Sequence, residues 1–405
     1  MTRIICAAIV CLLITAGKVW AAPLYEAEFV FDPEKENHGH VHASCIVECP
    51  NGDLRAVWYE NGTPMPAPYF SEQRDKSDDV RIGGGRKASG AAAWDPPFVM
   101  SDTFGVSDNN PCMVIDQEQR LWLVHPTLLG VPGKTWGSAL LQYKVSSDYE
   151  RPGVPRWDKE RFLVPHPTGV EAAMRNAAEK FTQSGKIPKE RIDAMLQEMA
   201  EQMKDPLTLR LGWMSRAHPL VLSDGTVMFP LANENYDIAV MFYTKDGGDT
   251  WTCSEPVPEA GITQPTVVQL SDQELVAFFR NSGPERRIKR SESKDGGRTW
   301  SPLSITDLLH PGAGIEAALL KNGHLAMVYN DKEESPRDKL AVSISDDQGK
   351  TWKWTHHLEN TPQQRFDYPS LIQGKDETLH ASYSDNLKTI KHVHFNEEWV
   401  QQGDQ

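Results

Sequence analysis

Short apolar runs separated by tight polar turns recur along the whole chain. Six copies of a polar turn followed by an apolar run are each preceded by a second apolar run. The six copies are PNGDLRAVW (50–58), DQEQRLWLV (116–124), LSDGTVMFP (222–230), LSDQELVAF (270–278), LKNGHLAMV (320–328) and GKDETLHAS (374–382). Two apolar runs around a polar turn predict a β-hairpin, and six regularly spaced hairpins predict an all-β fold, a six-bladed β-propeller.

A second repeat lies between these hairpins. TKDGGDTW (244–251), SKDGGRTW (293–300) and SDDQGKTW (345–352) share an Asp, a Gly and a final Trp at fixed spacing. The short acidic side chain suits a turn, and Gly takes the positive-φ position. The Trp is then expected to fold back between neighbouring sheets. These turns predict fold rather than chemistry.

One segment, residues 168–206, departs from the strand pattern. Its apolar residues recur at helical spacing in two groups, separated near Pro188. The two groups are Val170, Ala173, Met174, Ala177, Ala178 and Phe181, and then Ile192, Met195, Leu196, Met199, Ala200 and Met203. The pattern predicts a helical hairpin inserted in the third repeat, which either packs on the propeller or covers its site.

The N-terminus and the charge limit the location and the partners. Residues 1–22 combine a basic Arg3 with a short apolar core and small residues at the exit, which predicts a secretory signal peptide and a propeller over 23–405. We therefore expect a secreted or periplasmic protein with no membrane span. A formal net charge of −14 disfavours nucleic acid and anionic membrane surfaces as partners.

The Trp-ended turns are similar to the Asp boxes of bacterial neuraminidases, and the chain resembles the sialidase-like propellers over nearly all of residues 23–405. The stretches that carry the resemblance include HASCIVECPNGDLRAVW, DNNPCMVID, LGWMSRAHPLVLSDGTVMFPL, QPTVVQL, AFFRNSG, MVYND and DYPSLIQ. In that family the first strand of each blade lines a central funnel. The resemblance therefore implies that the starts of these strands converge. The residues expected there are His42, Asn110, Arg216 or His218, Gln264, Glu316 and Tyr368.

The resemblance also implies roles for individual residues. Sialidases use a tyrosine nucleophile, and DYPSL places Tyr368 at that position. They hold the carboxylate of the sugar with arginines, whose planar guanidinium groups suit paired hydrogen bonds. Arg280, fifteen residues before Asp295, matches the second arginine, and Arg337, ten residues before Asp347, matches the third.

Two positions depart from the family pattern. His42, ten residues before Gly52, stands where sialidases have their first arginine, and we expect it to bind substrate or act as an acid–base group. Gln264 stands where they have the glutamate that assists the tyrosine, so another base is required. The sequence leaves that base open among four residues. They are Glu316, Asp331, Glu234 and His42.

Sialidases have their general acid on a loop after the first hairpin, and the resemblance therefore implies an acid in SDDVRIGGGRK (77–87), with Asp79 preferred over Asp78. The alternating histidines of HGHVH (38–42) resemble a metal-binding strand, but no second ligand cluster is evident in the sequence. No metal or other cofactor is predicted.

Three functions fit these observations. The first is an exported exo-glycosidase that removes a terminal acidic sugar, sialic acid or a related sugar, from a glycan. The second is a glycan-binding propeller that has lost catalysis, which the absent arginine and glutamate favour. The third is a polysaccharide lyase in which His42 and Tyr368 form the catalytic pair. A glycan or polysaccharide is the expected partner in each case.

Overall fold

The computed structural model of the chain describes residues 22–404 except 131–135, 185–187 and 282. Residues 1–21, which make up nearly all of the predicted signal peptide, lie outside the described residues, and that prediction stays a prediction.

The described residues contain the following strands. The first five are β1 Tyr25–Phe29, β2 His42–Glu48, β3 Leu54–Asn61, β4 Val80–Lys87 and β5 Phe98–Ser101. The next five are β6 Ser107–Asp108, β7 Cys112–Ile115, β8 Leu121–Leu128, β9 Ala139–Ser146 and β10 Lys159–Leu163. The middle group is β11 Trp213–Met214, β12 Leu220–Val221, β13 Val227–Asn233, β14 Ile238–Thr244 and β15 Thr252–Cys253. They are followed by β16 Ile262–Gln269, β17 Leu275–Asn281, β18 Arg287–Ser293 and β19 Ser304–Leu309. The last are β20 Glu316–Leu319, β21 Leu325–Asn330, β22 Lys339–Ser345, β23 Trp354–Asn360, β24 Phe366–Gln373, β25 Leu379–Asp385 and β26 Thr389–Phe395.

These strands form six antiparallel sheets, so the predicted six-bladed propeller is confirmed. Five sheets are built from consecutive strands: β2–β5, β6–β10, β11–β15, β16–β19 and β20–β23. The sixth sheet has the order β1-β26-β25-β24 and closes the circle, because the first strand pairs with the last, from Tyr25 opposite Phe395 to Phe29 opposite Lys391. Below, blades 1 to 6 are numbered from the β2–β5 sheet to this closing sheet.

The apolar core lies between neighbouring blades. Each of six buried clusters joins two adjacent sheets; Val57, Tyr59, Met113 and Leu123, for example, pack together between blades 1 and 2. The aligned apolar positions of the repeat are the buried starts of the second strands. They are Leu54, Leu121, Val227, Leu275, Leu325 and Leu379.

The three Trp-ended turns share one hydrogen-bond pattern. Asp246 accepts from the Thr250 backbone N–H at 2.9 Å and from Thr250 Oγ1 at 2.6 Å, and Asp295 and Asp347 repeat both bonds with the threonine four residues on. Trp251 then packs on Phe229, with ring centroids 4.7 Å apart, inside the core between blades 2 and 3.

The helical hairpin consists of α1 Val170–Ser184 and α2 Lys189–Gln202 and connects blade 2 to blade 3, as predicted. Val170 and Met199 are buried in the core between these blades, and Met174 and Leu196 pack on the same cluster. A short helix, α3 Glu397–Gln402, follows the last strand, and one 3-10 turn occupies Trp136–Ser138. Within the described part of the chain, no helix is long and apolar enough to cross a membrane.

Candidate active site

The hydrogen-bond register of the blades defines two rings of residues around the central axis. In each blade the last paired residue of the first strand faces the aligned apolar position, as Gln373 faces Leu379. The residues five positions before this last paired residue form the upper ring, which consists of Ala43, Asn110, Arg216, Gln264, Gly314 and Tyr368. The residues three positions before the same last paired residue form the lower ring, which consists of Cys45, Cys112, His218, Thr266, Glu316 and Ser370.

The upper ring carries unusual backbone conformations. Tyr368 and Gln264 both have φ 49°, Asn110 has φ 37° and Ala43 has φ 58°, although none is a glycine. In blades 1, 4 and 6 the register shifts at these residues, which therefore sit in β-bulges. Such conformations cost about 1–3 kcal/mol each and cluster at functional sites. The bulges turn the upper-ring residues out of the regular strands toward the axis.

Tyr368 lies at the centre of the upper ring with both faces of its ring covered. His42 stacks on it with ring centroids 4.3 Å apart, and the Arg216 guanidinium carbon lies 4.7 Å from its centroid. Gly314 lies beside the ring edge, where an added Cβ would meet Tyr368 Cδ1 at 2.2 Å. The absence of a side chain at Gly314 therefore allows the tyrosine to extend across the funnel.

The phenol oxygen is held by two donors. Arg280 Nη1 donates to Tyr368 Oη at 2.9 Å, and Gln264 Nε2 donates to it at 3.2 Å. Arg280 is the β17 residue paired with Thr263, so it reaches the tyrosine from the strand behind Gln264. Because both partners donate, the arrangement stabilises negative charge that develops on Oη.

Arg337 is also beside the tyrosine but is already paired. Its guanidinium carbon lies 5.9 Å from the ring centroid of Tyr368. Nη1 donates to Asp367 Oδ1 at 2.6 Å, and Nη2 donates to the Gly312 carbonyl at 3.0 Å. Burial alone would raise the pKa of Asp367, but the guanidinium groups of Arg337 and Arg365 hold it below its usual value. Part of the expected carboxylate clamp is thus occupied by a carboxylate of the protein itself.

The lower ring contains a charged group that joins alternate blades. His218 Nδ1 donates to Glu316 Oε1 at 2.9 Å, and Nε2 donates to the Ile46 carbonyl at 2.7 Å. With an acceptor at each nitrogen, the imidazole is doubly protonated. Burial alone would lower the pKa of His218, but Cys45 and Glu316 raise it well above its usual value. His218 therefore links blades 1, 3 and 5 beneath Tyr368.

Positive charge dominates around the upper ring. Arg216, Arg280 and Arg337 converge on Tyr368, and the buried carboxylate of Asp367 pairs with Arg337. His310 lies buried near the same arginines, and its burial together with the charges of Arg280 and Arg337 lowers its pKa to about 3. The funnel thus offers an anion-attracting floor inside a protein whose net charge is negative.

Comparison with known proteins agrees with this architecture. The family model of the BNR repeat-like domain matches residues 198–381. The sialidase of Clostridium perfringens is 29% identical over 165 residues, which is 36% of this chain and 43% of that protein. The sialidase of Paraclostridium sordellii is 28% identical over 166 residues, covering 36% and 40%. The matched regions span less than half the length of these curated relatives.

Solved structures extend the likeness to the whole propeller. A Hadza microbial sialidase superposes with a TM-score of 0.66 at 16% identity, over 92% of this chain and 69% of that one. The intramolecular trans-sialidase from Ruminococcus gnavus gives a TM-score of 0.63 at 12% identity, over 90% and 96%. A protein of unknown function from Dyadobacter fermentans gives 0.64 at 15% identity, over 92% and 98%. The chain has the fold of the sialidase-like propellers.

In this sialidase-like propeller the HGHVH stretch divides between two environments. His38 donates toward Glu60 at 2.9 Å and Glu36 at 3.2 Å, outside the funnel. His40 stacks on Tyr59, and His42 packs edge-on against both. Across residues 22–404, gaps excepted, no group of three or more His, Cys, Asp or Glu side chains is arranged to hold a metal ion.

His42 lies one residue before the upper ring, which Ala43 occupies in blade 1. Its Nδ1 lies 2.9 Å from Ser384 Oγ in the neighbouring blade. Burial lowers the pKa of His42 well below its usual value. The carboxylate of Asp367 acts to raise the pKa, whereas the charges of His40 and Arg365 lower it further. His42 is therefore a neutral ring that covers one face of Tyr368.

The loop proposed to carry the general acid is folded around its own carboxylates. Asp79 accepts from Ser71 Oγ at 2.9 Å and from Gln73, and Asp78 accepts from the Phe70 backbone N–H at 2.7 Å. Asp75, which the sequence analysis did not name, belongs to the loop that precedes these two residues. Its charge acts on His40 and on Tyr59, whose pKa burial raises well above the usual value.

The remaining candidates lie at different depths of the propeller. Asn110, Arg216 and Gln264 belong to the upper ring, and Glu316 belongs to the lower ring, paired with His218. Asp331 lies at the rim of blade 5, with Oδ2 at 3.2 Å from His357 Nε2. Glu234 is half-buried; burial raises its pKa, and Arg280 partly offsets that rise.

The sequence analysis missed three residues of the site. In blade 5 the residue predicted to line the funnel was Glu316, which lies two residues after Gly314, the residue at the upper-ring position. Asp367 adjoins Tyr368 and was passed over as part of the DYPSL motif. Asp75 was overlooked in favour of the paired Asp78 and Asp79. The alternation of the first strand in each blade would have placed Gly314, since register comparison needs only the sequence.

Proposed function

We propose that the chain is an exported exo-glycosidase that removes a terminal acidic sugar, with sialic acid as the first candidate. The observation that carries the proposal is Tyr368 Oη held between the donors Arg280 and Gln264 on a positively charged floor. The relatives in the sequence comparison are named sialidases, which supports the same chemistry. Export rests on the signal peptide predicted in residues 1–22.

In the proposed reaction Tyr368 first gives its phenol proton to solvent. The phenoxide oxygen, which accepts from Arg280 and Gln264, then attacks the anomeric carbon while the glycosidic oxygen leaves. The same two donors stabilise the negative charge on the oxygen before the attack and again when Tyr368 is released. Asp75 gives a proton to the leaving oxygen. Water then attacks the anomeric carbon of the tyrosyl–sugar intermediate, Tyr368 is released, and Asp75 recovers its proton from that water.

Recognition of the sugar carboxylate falls chiefly to Arg280. This side chain is partly exposed, and its Nε has no recorded partner although the atom is buried. Arg337 already binds Asp367 and Gly312. We expect a weaker carboxylate clamp than three free arginines would form, so uronic acids and sulfated sugars belong in the substrate panel beside sialosides.

A lyase reaction is the second candidate, because neutral His42 stacks directly on Tyr368. A lyase would release an unsaturated product that absorbs ultraviolet light, whereas hydrolysis would not.

The deciding experiment measures product release from sialosides, uronides and sulfated glycans by wild type and by Tyr368→Phe. Sugar release by wild type with a loss of about a hundredfold or more in Tyr368→Phe supports the proposal. Equal rates for the two proteins contradict a tyrosine nucleophile. Glycan binding without turnover of any substrate identifies a binding propeller instead.

A further inference from the structure

The helical hairpin leaves an apolar groove open beside the funnel. The groove has a volume of about 420 Å3. We define this hairpin groove by six apolar residues of its lining, which are Met174, Met195, Leu196, Met199, Tyr236 and Ala260; Ala178 and Ile192 also line it. The first four residues belong to α1 and α2, whereas Tyr236 and Ala260 belong to the edge of blades 3 and 4.

The groove is a fixed feature of the fold rather than a loose surface. Met199 and Tyr236 are buried in the core between blades 2 and 3, so both walls are anchored. Met195 at the lip is 58% exposed, although it lies on the same side of α2 as the buried Met199. A conspicuously exposed methionine at the opening of an anchored apolar groove is typical of a binding surface.

The groove lies near the site around Tyr368 along the chain. The turn that carries Tyr236 also carries Glu234, whose carboxyl is influenced by Arg280, and Asp237, whose carbonyl accepts from the Ile262 backbone N–H at 3.1 Å. Ile262 begins β16, which leads to Gln264 of the upper ring. Four residues separate Ala260 from Gln264, so the groove opens within about 13 Å of the tyrosine's partner.

We propose that the hairpin groove binds an apolar aglycone, an alkyl or aryl group attached to the sugar that reacts at Tyr368. Thioether and aliphatic side chains suit such a group, because methionines adapt their shape to apolar ligands. Two polar helix residues at the groove, Glu198 and Gln202, would form its polar edge. The inference rests on the proposed function, since the aglycone is the group that leaves from Tyr368.

The test compares methyl and octyl glycosides of N-acetylneuraminic acid with wild type, Met195→Glu and Leu207→Glu. Leu207 is the matched control, because it is 55% exposed and lies outside the groove lining. Wild type is expected to show kcat/KM about tenfold higher for the octyl glycoside, as burial of a few methylene groups provides. Met195→Glu is expected to lose this preference, and Leu207→Glu to keep it, with methyl glycoside turnover unchanged in both.

Several results would overturn the inference. Equal kcat/KM for the two glycosides in wild type would do so, and so would a preference that survives in Met195→Glu. A wild-type dimer that Met195→Glu converts to monomer, with the alkyl preference unaltered, would assign the groove to self-association. If wild type turns over neither glycoside, the proposed function fails. Calorimetry with the same compounds then tests the groove. Tighter binding of the octyl than of the methyl glycoside by wild type, with that difference lost in Met195→Glu, supports the inference. Equal affinities for the two compounds, or no binding, overturn it.

Discussion

Replacement of Gly314 by Ala tests whether the position of Tyr368 is set by the ring around it. The new Cβ would lie 2.2 Å from Tyr368 Cδ1, 2.8 Å from Cε1 and 3.1 Å from Arg216 Nε. Carbon atoms in contact prefer about 3.5–4.0 Å, so one partner must move by about 1.3 Å or more. The backbone of Gly314 imposes no special requirement, because its φ is not in the positive range.

The tyrosine cannot yield without losing its contacts. His42 and Arg216 cover its two faces, and Arg280 and Gln264 hold its oxygen. A displacement of about 1 Å at a reacting group costs about a hundredfold in rate. Overpacking of this size also costs about 1–3 kcal/mol of stability. We therefore expect Gly314→Ala to fold, with a lower melting temperature and kcat/KM reduced about a hundredfold.

The assay measures kcat/KM on the best substrate of the panel, with circular dichroism to confirm folding. Gly374→Ala is the matched control, because it also adds a methyl group beside side-chain atoms, Asp376 Oδ1 at 2.9 Å and His380 Nε2 at 3.2 Å, but just beyond the far end of β24, away from Tyr368. In a Tyr368→Phe background, Gly314→Ala should add little further loss of rate, since both changes act through one group. Activity of Gly314→Ala within threefold of wild type would refute the reasoning.

Three further predictions concern charged groups. His218→Gln should lower the free energy of unfolding most at pH 6, where the unfolded histidine still binds its proton. The difference should shrink as pH rises through the raised pKa of the folded state, and a pH-independent difference in urea unfolding would contradict this. Asp75→Asn should lower kcat about a hundredfold on alkyl glycosides, and less on aryl glycosides, whose good leaving groups need no proton. Asp79→Asn should chiefly lower the melting temperature. A large loss of kcat in Asp79→Asn but not in Asp75→Asn would show that Asp79 is the acid. Asp367→Asn should cost about 3 kcal/mol in denaturant unfolding, because it leaves Arg337 without its buried partner, and a cost below 1 kcal/mol would show that the pair contributes little.

Much of the fold follows from local features of the sequence. Each hairpin carries its own turn and its own apolar face, so six copies specify six blades without knowledge of distant contacts. The hairpin helices follow equally from their apolar spacing. The pairing of β1 with β26 joins the two ends of the chain and has no local signal, because Tyr25 and Phe395 meet only after the circle closes.

The sequence predicts those site residues whose positions follow from the pairing of the first two strands of each blade. Counting back from each turn finds Arg216, Gln264 and Tyr368, since those positions depend on strand pairing alone. Blades 1, 4 and 6 carry a bulge at the same level, and eleven residues back from Leu54 lies Ala43, as Gln264 and Tyr368 lie eleven residues before Leu275 and Leu379. His42, which was counted from Gly52, therefore lies one residue before the ring position. Contacts between side chains, such as Asp367 with Arg337, depend on packing across blades and have no signature in spacing.

The two departures from the sialidase pattern are opposite in charge, and this bears on how Tyr368 is activated. By the resemblance, the first arginine is absent whether Ala43 or neutral His42 stands in its place, which removes one positive charge. Gln264 in place of a glutamate removes one negative charge, so the total is conserved while the role changes. A carboxylate would accept the phenol proton, whereas Gln264 Nε2 joins Arg280 in stabilising the oxygen. If this donor arrangement carries the reaction, Gln264→Glu places a negative oxygen about 3 Å from a developing negative charge. We expect that variant to lose about tenfold or more in kcat at neutral pH, although it restores the family residue. A rise in kcat would show that the chain lacks a base rather than replacing one.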